Sequence, residues 1–404
     1  MKKTKRTFAA FAAALAALWL CAGCAKKDAK ETLELWVYDN GRIAVLGELG
    51  KQYEAEYGVR VNVSLVDLGQ IRNQFLLASG GAECADLAII PHDNLGPLVE
   101  NGAVMRIAMG DKAAAFLPQA LEAFTYNGGL YGAPLAIENI GFFWNTALAA
   151  SPPETWADLA AMGEALVKAG KAEVIMGLPD ATYHAWPLYA SFGGAIFGRN
   201  ADGGFNGKDI QIAGPGFVDG LAFLSGLAAK RLIPQTIDWD GAHVLFESGR
   251  APFIMAGPWA LNRFRTAGVP YAIGPFPAAA KGGEPGRPFL GVQGIVISAA
   301  SPRALLAQSF ALDFIATGES MQAIYEAEQR PSAWKDIFDR IEDADVRGFN
   351  AAGARAEPMP AIPEMGYVWD AWVAAAALAF SGEKTPSQAL QNAQAQIESQ
   401  IQGK

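Results

Sequence analysis

The run TLELWVYDNGRIAVLGELGKQYEAEYGVRVNVSLV, residues 32–66, decides the fold. TLELWVY (32–38) alternates apolar and polar residues, the period-2 pattern of a half-buried strand. IAVLGELGKQYEAEYG (43–58) carries apolar residues at helical spacing and stops at Gly58, a glycine well suited to the left-handed turn that ends a helix. VRVNVSLV (59–66) alternates again. Strand, helix and strand in that order form the unit of an open parallel sheet with helices on its faces.

The same rhythm continues. QIRNQFLLASGG (70–81) reads as a helix ending in glycines, and ADLAII (85–90) as a strand buried on both faces. DNLGPLVENG (93–102) predicts a short helix with Asp93 as N-cap and Gly102 closing it. YNGGLYGAPLAIENIGFFWN (126–145) breaks the rhythm: rich in glycine and aromatics, it predicts strands that cross from one domain to another. SPPETWADLAAMGEALVKAG (151–170) then starts a new helix, with Thr155 as N-cap and Asp158 three residues on. A second α/β set follows through AEVIMGL (172–178), YHAWPLYASFGG (183–194), GFVDGLAFLSGLAAKRLI (216–233), APFIMAG (251–257) and YAIGPFP (271–277). FLGVQGIVIS (289–298) is a strand placed to cross back. The tail is helical, ending in TPSQALQNAQAQIESQIQG (385–403), with Thr385, Pro386 and Gln388 as N-cap, N1 and N3.

A chain of 404 residues, half of it apolar, is globular and too long for one core, so two domains are expected. The N-terminus carries a basic segment, MKKTKR, an apolar segment, FAAFAAALAALWL, and then CAGC. This pattern predicts a signal peptide over 1–23, with Cys24 lipidated and residues 24–31 as a tether. Cys21 stands where a leucine is usual before such a cysteine. Losing Lys2, Lys3, Lys5 and Arg6 with the leader, and no acid, takes the net charge from −9 to about −13. No basic block remains to meet a phosphate backbone, so nucleic acid is not an expected partner. With Cys24 lipidated only Cys84 remains, and one thiol makes no intrachain disulfide.

Catalytic motifs are absent. His92, His184 and His243 are far apart and no cysteine cluster joins them, so neither a metal nor another cofactor is expected. GGFNGKD (203–209) mimics a phosphate loop, but the glycine spacing is wrong and Asp209 follows Lys208. The two facing carboxylates of a glycosidase leave no short motif. Inspection for motifs therefore leaves a hydrolase open as a class, although nothing in the sequence proposes one.

After the tether the chain resembles, nearly end to end, bacterial extracellular solute-binding proteins of the sugar-binding group, and specifically the maltose/maltodextrin-binding type. The words that carry the likeness include LELWVYDNG (33–41), ADLAIIPHDNLGPLVENG (85–102), the crossover 126–145, GRAPFIMAGPWALNRF (249–264) and EPMPAIPEMGYVWDAW (357–372). The resemblance implies a two-lobed periplasmic-binding-protein fold of class α/β, each lobe an open, mostly parallel sheet flanked by helices. Its first lobe spans 32–137 plus 291–326 and its second 142–288 plus 332–404. Hinge crossings fall at 138–141, 289–290 and 327–331. It also implies an exported, lipid-anchored monomer that closes around a carbohydrate and delivers it to the membrane permease subunits of an ABC importer, without catalysis; the alternatives are an exported carbohydrate-active enzyme and a sugar-sensing surface lipoprotein.

Residue by residue, the resemblance makes Trp259, Trp369 and Tyr183 sugar-contacting aromatics. Asp93 and Glu138 become hydroxyl-binding acids, with a helix N-cap as the other reading of Asp93 and a hinge hydrogen bond that of Glu138. Asp39 and Asn40 stand where the family has an Asp–Lys pair. The lysine is missing here, and Arg42 is the candidate replacement. Trp186 divides evenly between core and cleft, and Trp372 reads as core. Ile90, Asn94 and Val373 replace an aromatic and two arginines of the family's clamp, and an acidic pair is missing from LGQIRNQF (68–75). The ligand is therefore left open among oligosaccharides, disaccharides such as trehalose, and polyols.

Overall fold

A computed structural model describes residues 31–78, 85–201, 204–236 and 238–403. The leader, Cys24 and Cys84 lie outside the described residues. The opening run folds as read. β1 (Thr32–Val37) pairs in parallel with β2 (Arg60–Leu65), and helix α1 (Asn40–Tyr57) connects them. Gly58 ends α1 with φ of 74°, in the left-handed region that glycine enters without steric cost. α2 (Leu68–Ala78) leads towards β3 (Leu87–Pro91), which pairs in parallel with the other edge of β1. The first four residues of β3 are fully buried, as the apolar run requires. α3 (Leu95–Glu100) follows.

The chain then changes sheets. β4 (Gly132–Glu138) is buried along its whole length and belongs to the first sheet, whereas β5 (Gly141–Asn145) belongs to a second. α4 (Trp156–Lys168) begins with the capping box read from the sequence. Thr155 Oγ1 accepts from the Asp158 amide at 3.1 Å, and the Asp158 carboxylate accepts from the Thr155 amide at 3.2 Å. The second sheet is completed by β6 (Met176–Gly177), β7 (Phe253–Ala256) and β8 (Tyr271–Gly274), in the order β8-β5-β7-β6. Only Met176 and Gly177 of the longer run 172–178 pair as strand. β9 (Phe289–Ile297) returns to the first sheet, lying antiparallel to both β3 and β4.

α5 (Gly318–Glu328) packs back on α1, and β10 (Glu357–Pro358) adds to the start of β9. The first sheet therefore runs β10-β9-β3-β1-β2, with β4 on the other side of β9. α6 (Met365–Phe380) and α7 (Pro386–Gln402) close the chain against the second lobe. The parallel pairs come from the local strand–helix–strand units. The antiparallel ones come from strands that cross between lobes, and β5 makes them dominate the second sheet.

Each lobe has its own core. One gathers Leu35, Ile89, Leu135, Val296 and Phe310, and the other Trp156, Trp186, Phe217, Trp372 and Leu390. One assignment differs from the sequence reading. Ala333 and Ile337, grouped there with the second lobe, pack in the first core. The cause is local pairing: the Leu117 amide donates to Ala333 O at 2.9 Å, and Ser332 and Trp334 bridge to Ala136 and Phe116. Phe205–Ile210 pairs antiparallel with Phe197–Arg199, which gives the described end of GGFNGKD a plain structural role. Among the described residues no helix is long and apolar enough to cross a membrane.

The capping box gives a direct test. Thr155→Ala should cost about 1 kcal/mol and lower the thermal midpoint by roughly 2–4 °C, read by calorimetry. An unchanged midpoint would show that α4 starts without help from its cap.

Candidate functional site

The strands of both sheets end at one place. Tyr38 and Asp39 follow β1, His92 and Asp93 follow β3, Glu138 ends β4, and Trp259 follows β7 three residues on. Open α/β sheets place ligands beyond the carboxyl ends of their strands, and these side chains meet there.

Buried charge fills the floor. Arg330 is 5% exposed and carries three acidic neighbours. It pairs with Asp39, and its Nε lies 3.6 Å from Glu138 Oε2 and 3.8 Å from Glu328 Oε2. Burial lowers the Arg330 pKa, but Glu138, Glu328, Tyr38 and Asp39 raise it by more, so the guanidinium stays charged. Burial likewise raises the Asp39 pKa, yet Arg330, the Gly41 amide and Arg42 together hold it below the ordinary carboxylate value. Gln293 of β9 donates to Glu138 Oε1 at 3.0 Å, and Tyr38 donates to Gln293. Burial pushes the Tyr38 phenol up to about 12, so it remains a donor. Glu138 Oε2 is buried and has no hydrogen-bond partner.

Arg42 does not take the place of the missing lysine. It is fully buried and makes a two-point pair with Glu328, at 2.9 and 3.2 Å. On α1 it shares one face with Leu46, Leu49 and Tyr53, and that face turns inward. Asp39 caps α1 through the Gly41 amide at 2.8 Å, and Asn40 is exposed on its first turn.

The far wall is aromatic. Trp259 lies in a 3-10 turn and is half-buried. Its indole folds back over Gly257, where an added Cβ would sit 2.2 Å from the ring, so a larger residue there would displace the indole. His184 meets Trp259 edge-on at 5.9 Å, Tyr183 lies 6.3 Å away, and the Arg330 guanidinium carbon is 5.8 Å from the ring centre. Leu261 and Phe264 return to the core. His184 is held by Asp180, whose carboxyl is raised by burial but lowered further by His184 and by backbone amides. Burial, with Glu138 and Asp180 nearby, raises the Tyr183 pKa well above its ordinary value.

Asp93 does not cap a helix. His92–Asn94 forms a 3-10 turn that runs straight into α3 with no side-chain cap, and Asp93 instead lies close to the Trp369 indole of α6, whose N–H favours its charged form. First-lobe strand end and second-lobe helix are thus in contact. His92 fixes the turn: its Nδ1 accepts from the Val292 amide at 3.1 Å, leaving Nε2 to donate to Met359 O at 3.2 Å. Burial lowers the His92 pKa to about 4, which keeps the ring neutral. Trp369 stacks parallel on Trp372 at 5.9 Å. Trp186 is core, lying flat on Phe289 at 4.6 Å, and Trp372 is fully buried.

A model of the bacterial extracellular solute-binding protein family matches residues 48–348, most of the chain. The chain belongs to that family. Among similar proteins is the galactooligosaccharide-binding protein of Bacillus subtilis (strain 168), 27% identical, covering 87% of this chain and 85% of the relative. A maltooligosaccharide ABC transporter solute-binding lipoprotein of Streptococcus pneumoniae (strain ATCC BAA-255 / R6) is 28% identical over 94% and 92% of the two chains. The maltotriose-binding protein of Pyrococcus abyssi (strain GE5 / Orsay) is 28% identical over 74% and 66%. The two-lobed α/β fold is the one expected of a solute-binding protein. Among the described residues no cluster of His, Cys, Asp and Glu is set to hold a metal ion.

Asp93 offers a pH test. Burial raises its pKa from 3.8 to about 6, against the opposing charge of Arg72. The native state therefore holds this proton more tightly than the unfolded chain. The resulting stability is complete below about pH 4 and is lost as pH rises through about 6. Asp93→Asn removes that titration, so its thermal midpoint should gain on the wild type between pH 4 and 7. A difference that stays flat with pH would contradict the assignment.

Proposed function

We propose that this solute-binding protein is the substrate-binding component of an ABC importer, closing on a carbohydrate held between its lobes. What supports the reading is one convergence: aromatic side chains and buried carboxylates from both lobes meet at the strand ends. Flat indole faces suit the C–H face of a pyranose, while carboxylates and amides suit its hydroxyls. Trp259, Trp369 and Tyr183 are the proposed platforms. Asp93, Glu138 and, at the rim, Asp39 and Asn40 are the proposed hydroxyl partners. Arg42 is left out because it is buried against Glu328.

The sugars for which the relatives are named favour an oligosaccharide of the maltose or galactose kind. In this reading the protein is exported and held at the membrane by lipid on Cys24. It acts as a monomer, without catalysis, and hands its ligand to the permease. Closure rotates the lobes about segments near 138–141, 289–290 and 327–331.

Titration of the purified protein with maltotriose and galactotriose, followed by tryptophan fluorescence, tests this. We expect a saturable shift with at least one sugar. Trp259→Ala should weaken binding by about tenfold to a hundredfold while leaving the fold intact by circular dichroism. No response across di- and oligosaccharides would reject the reading, and release of shorter sugars from the ligand would favour the enzyme alternative.

A further inference from the structure

The geometry points to Arg330 as the cation of the cleft. We infer that its guanidinium contacts the ligand beside Trp259 and sets a preference for uncharged over cationic sugars. The inference rests on the carbohydrate reading above, and no sequence motif announces it.

The chain goes to some trouble to place this side chain. α5 ends at Gln329, a non-glycine residue with φ of 56°. Left-handed backbone at such a residue costs about 1 kcal/mol or more and persists only where the surroundings enforce it. Pro331 follows, and a residue before proline is held out of the helical region. Arg330 is thereby turned off the helix axis and into the strand ends. There it touches the first lobe through Asp39, the crossing strand through Glu138, and the second lobe through the Trp259 ring.

The local charges do not balance. Asp39, Glu138 and Glu328 face Arg42 and Arg330, three carboxylates against two guanidiniums. Arg42 is committed to Glu328 in a two-point pair. The remaining deficit falls at Glu138 Oε2, buried without a hydrogen-bond partner, while Arg330 Nε at 3.6 Å is too distant to supply one. A sugar hydroxyl placed between these groups donates to Glu138 Oε2 and accepts from Arg330. A protonated amine at the same place can pair with Glu138 but has nothing to offer Arg330 and is repelled by it. Without Arg330 the three acids face only Arg42, so the loss of a cation falls hardest on a neutral ligand.

Isothermal titration calorimetry decides the matter, using the mature chain with maltotriose, galactotriose and the fully deacetylated glucosamine trisaccharide. The wild type should prefer a neutral trisaccharide. Arg330→Gln should weaken that sugar at least about tenfold while the glucosamine trisaccharide weakens less or tightens. Arg330→Lys keeps the charge but not the planar fork. It should bind the neutral sugar about three- to tenfold more weakly, with the preference for neutral over cationic retained. The Lys variant carries the test should the Gln variant not fold. Neutral-sugar affinity unchanged in either folded variant overturns the inference. So does an equal loss for both sugar classes in Arg330→Gln, which marks a merely structural residue. A wild type that binds neither neutral trisaccharide fails differently: it removes the carbohydrate reading itself, and this inference with it.

Discussion

Everything gathered at the strand ends depends on two strands that pass between the sheets side by side. β4 and β9 pair antiparallel at Gly291 and Glu138, where each leaves the first lobe or enters it. Backbone hydrogen bonds fix the two strands against each other. The side chains at that crossing, Glu138 and Gln293, are therefore held from two directions, and Tyr38 reaches them from the end of β1. Buried ionised groups are expensive unless their partners are fixed. The crossing supplies that fixity, and the buried charge cluster is built on it.

The apolar pattern made the architecture legible. Residues 32–66 fold as the strand–helix–strand unit that their periodicity describes, and the caps at Thr155, Thr385 and Gly58 are local chemistry that survives in the structure. The burial of Arg42 is also legible: at positions i, i+4, i+7 and i+11 with Leu46, Leu49 and Tyr53 it belongs to the buried face. Asp93 was harder. Its sequence suits an N-cap, and only the 3-10 turn ahead of α3 turns it towards Trp369 instead. The second sheet is not mostly parallel, as the resemblance implies, because β5 arrives from the other lobe and pairs antiparallel on both sides.

Arg330 and Gln293 had no such signature. Gln293 lies in the strand FLGVQGIVIS and Arg330 in an expected hinge crossing, but neither pattern says that they meet Glu138 and Asp39, more than a hundred positions away. Spacing along the chain reports helices and strands, which are local. It does not report which side chains meet where two lobes face each other, since that is set by the way the crossing strands pair. The site is thus divided: its aromatics follow from short words such as GPW, and its charges from topology.

The close seat of Trp259 on Gly257 has a thermodynamic consequence. A large side chain free to sample rotamers loses about 0.5–1.5 kcal/mol when a partner immobilises it. The Trp259 indole is already wedged between the backbone of Gly257 and the edge of His184. Its rotational entropy was surrendered when the second lobe folded, so a molecule that settles on this ring meets a surface that has no further freedom to lose.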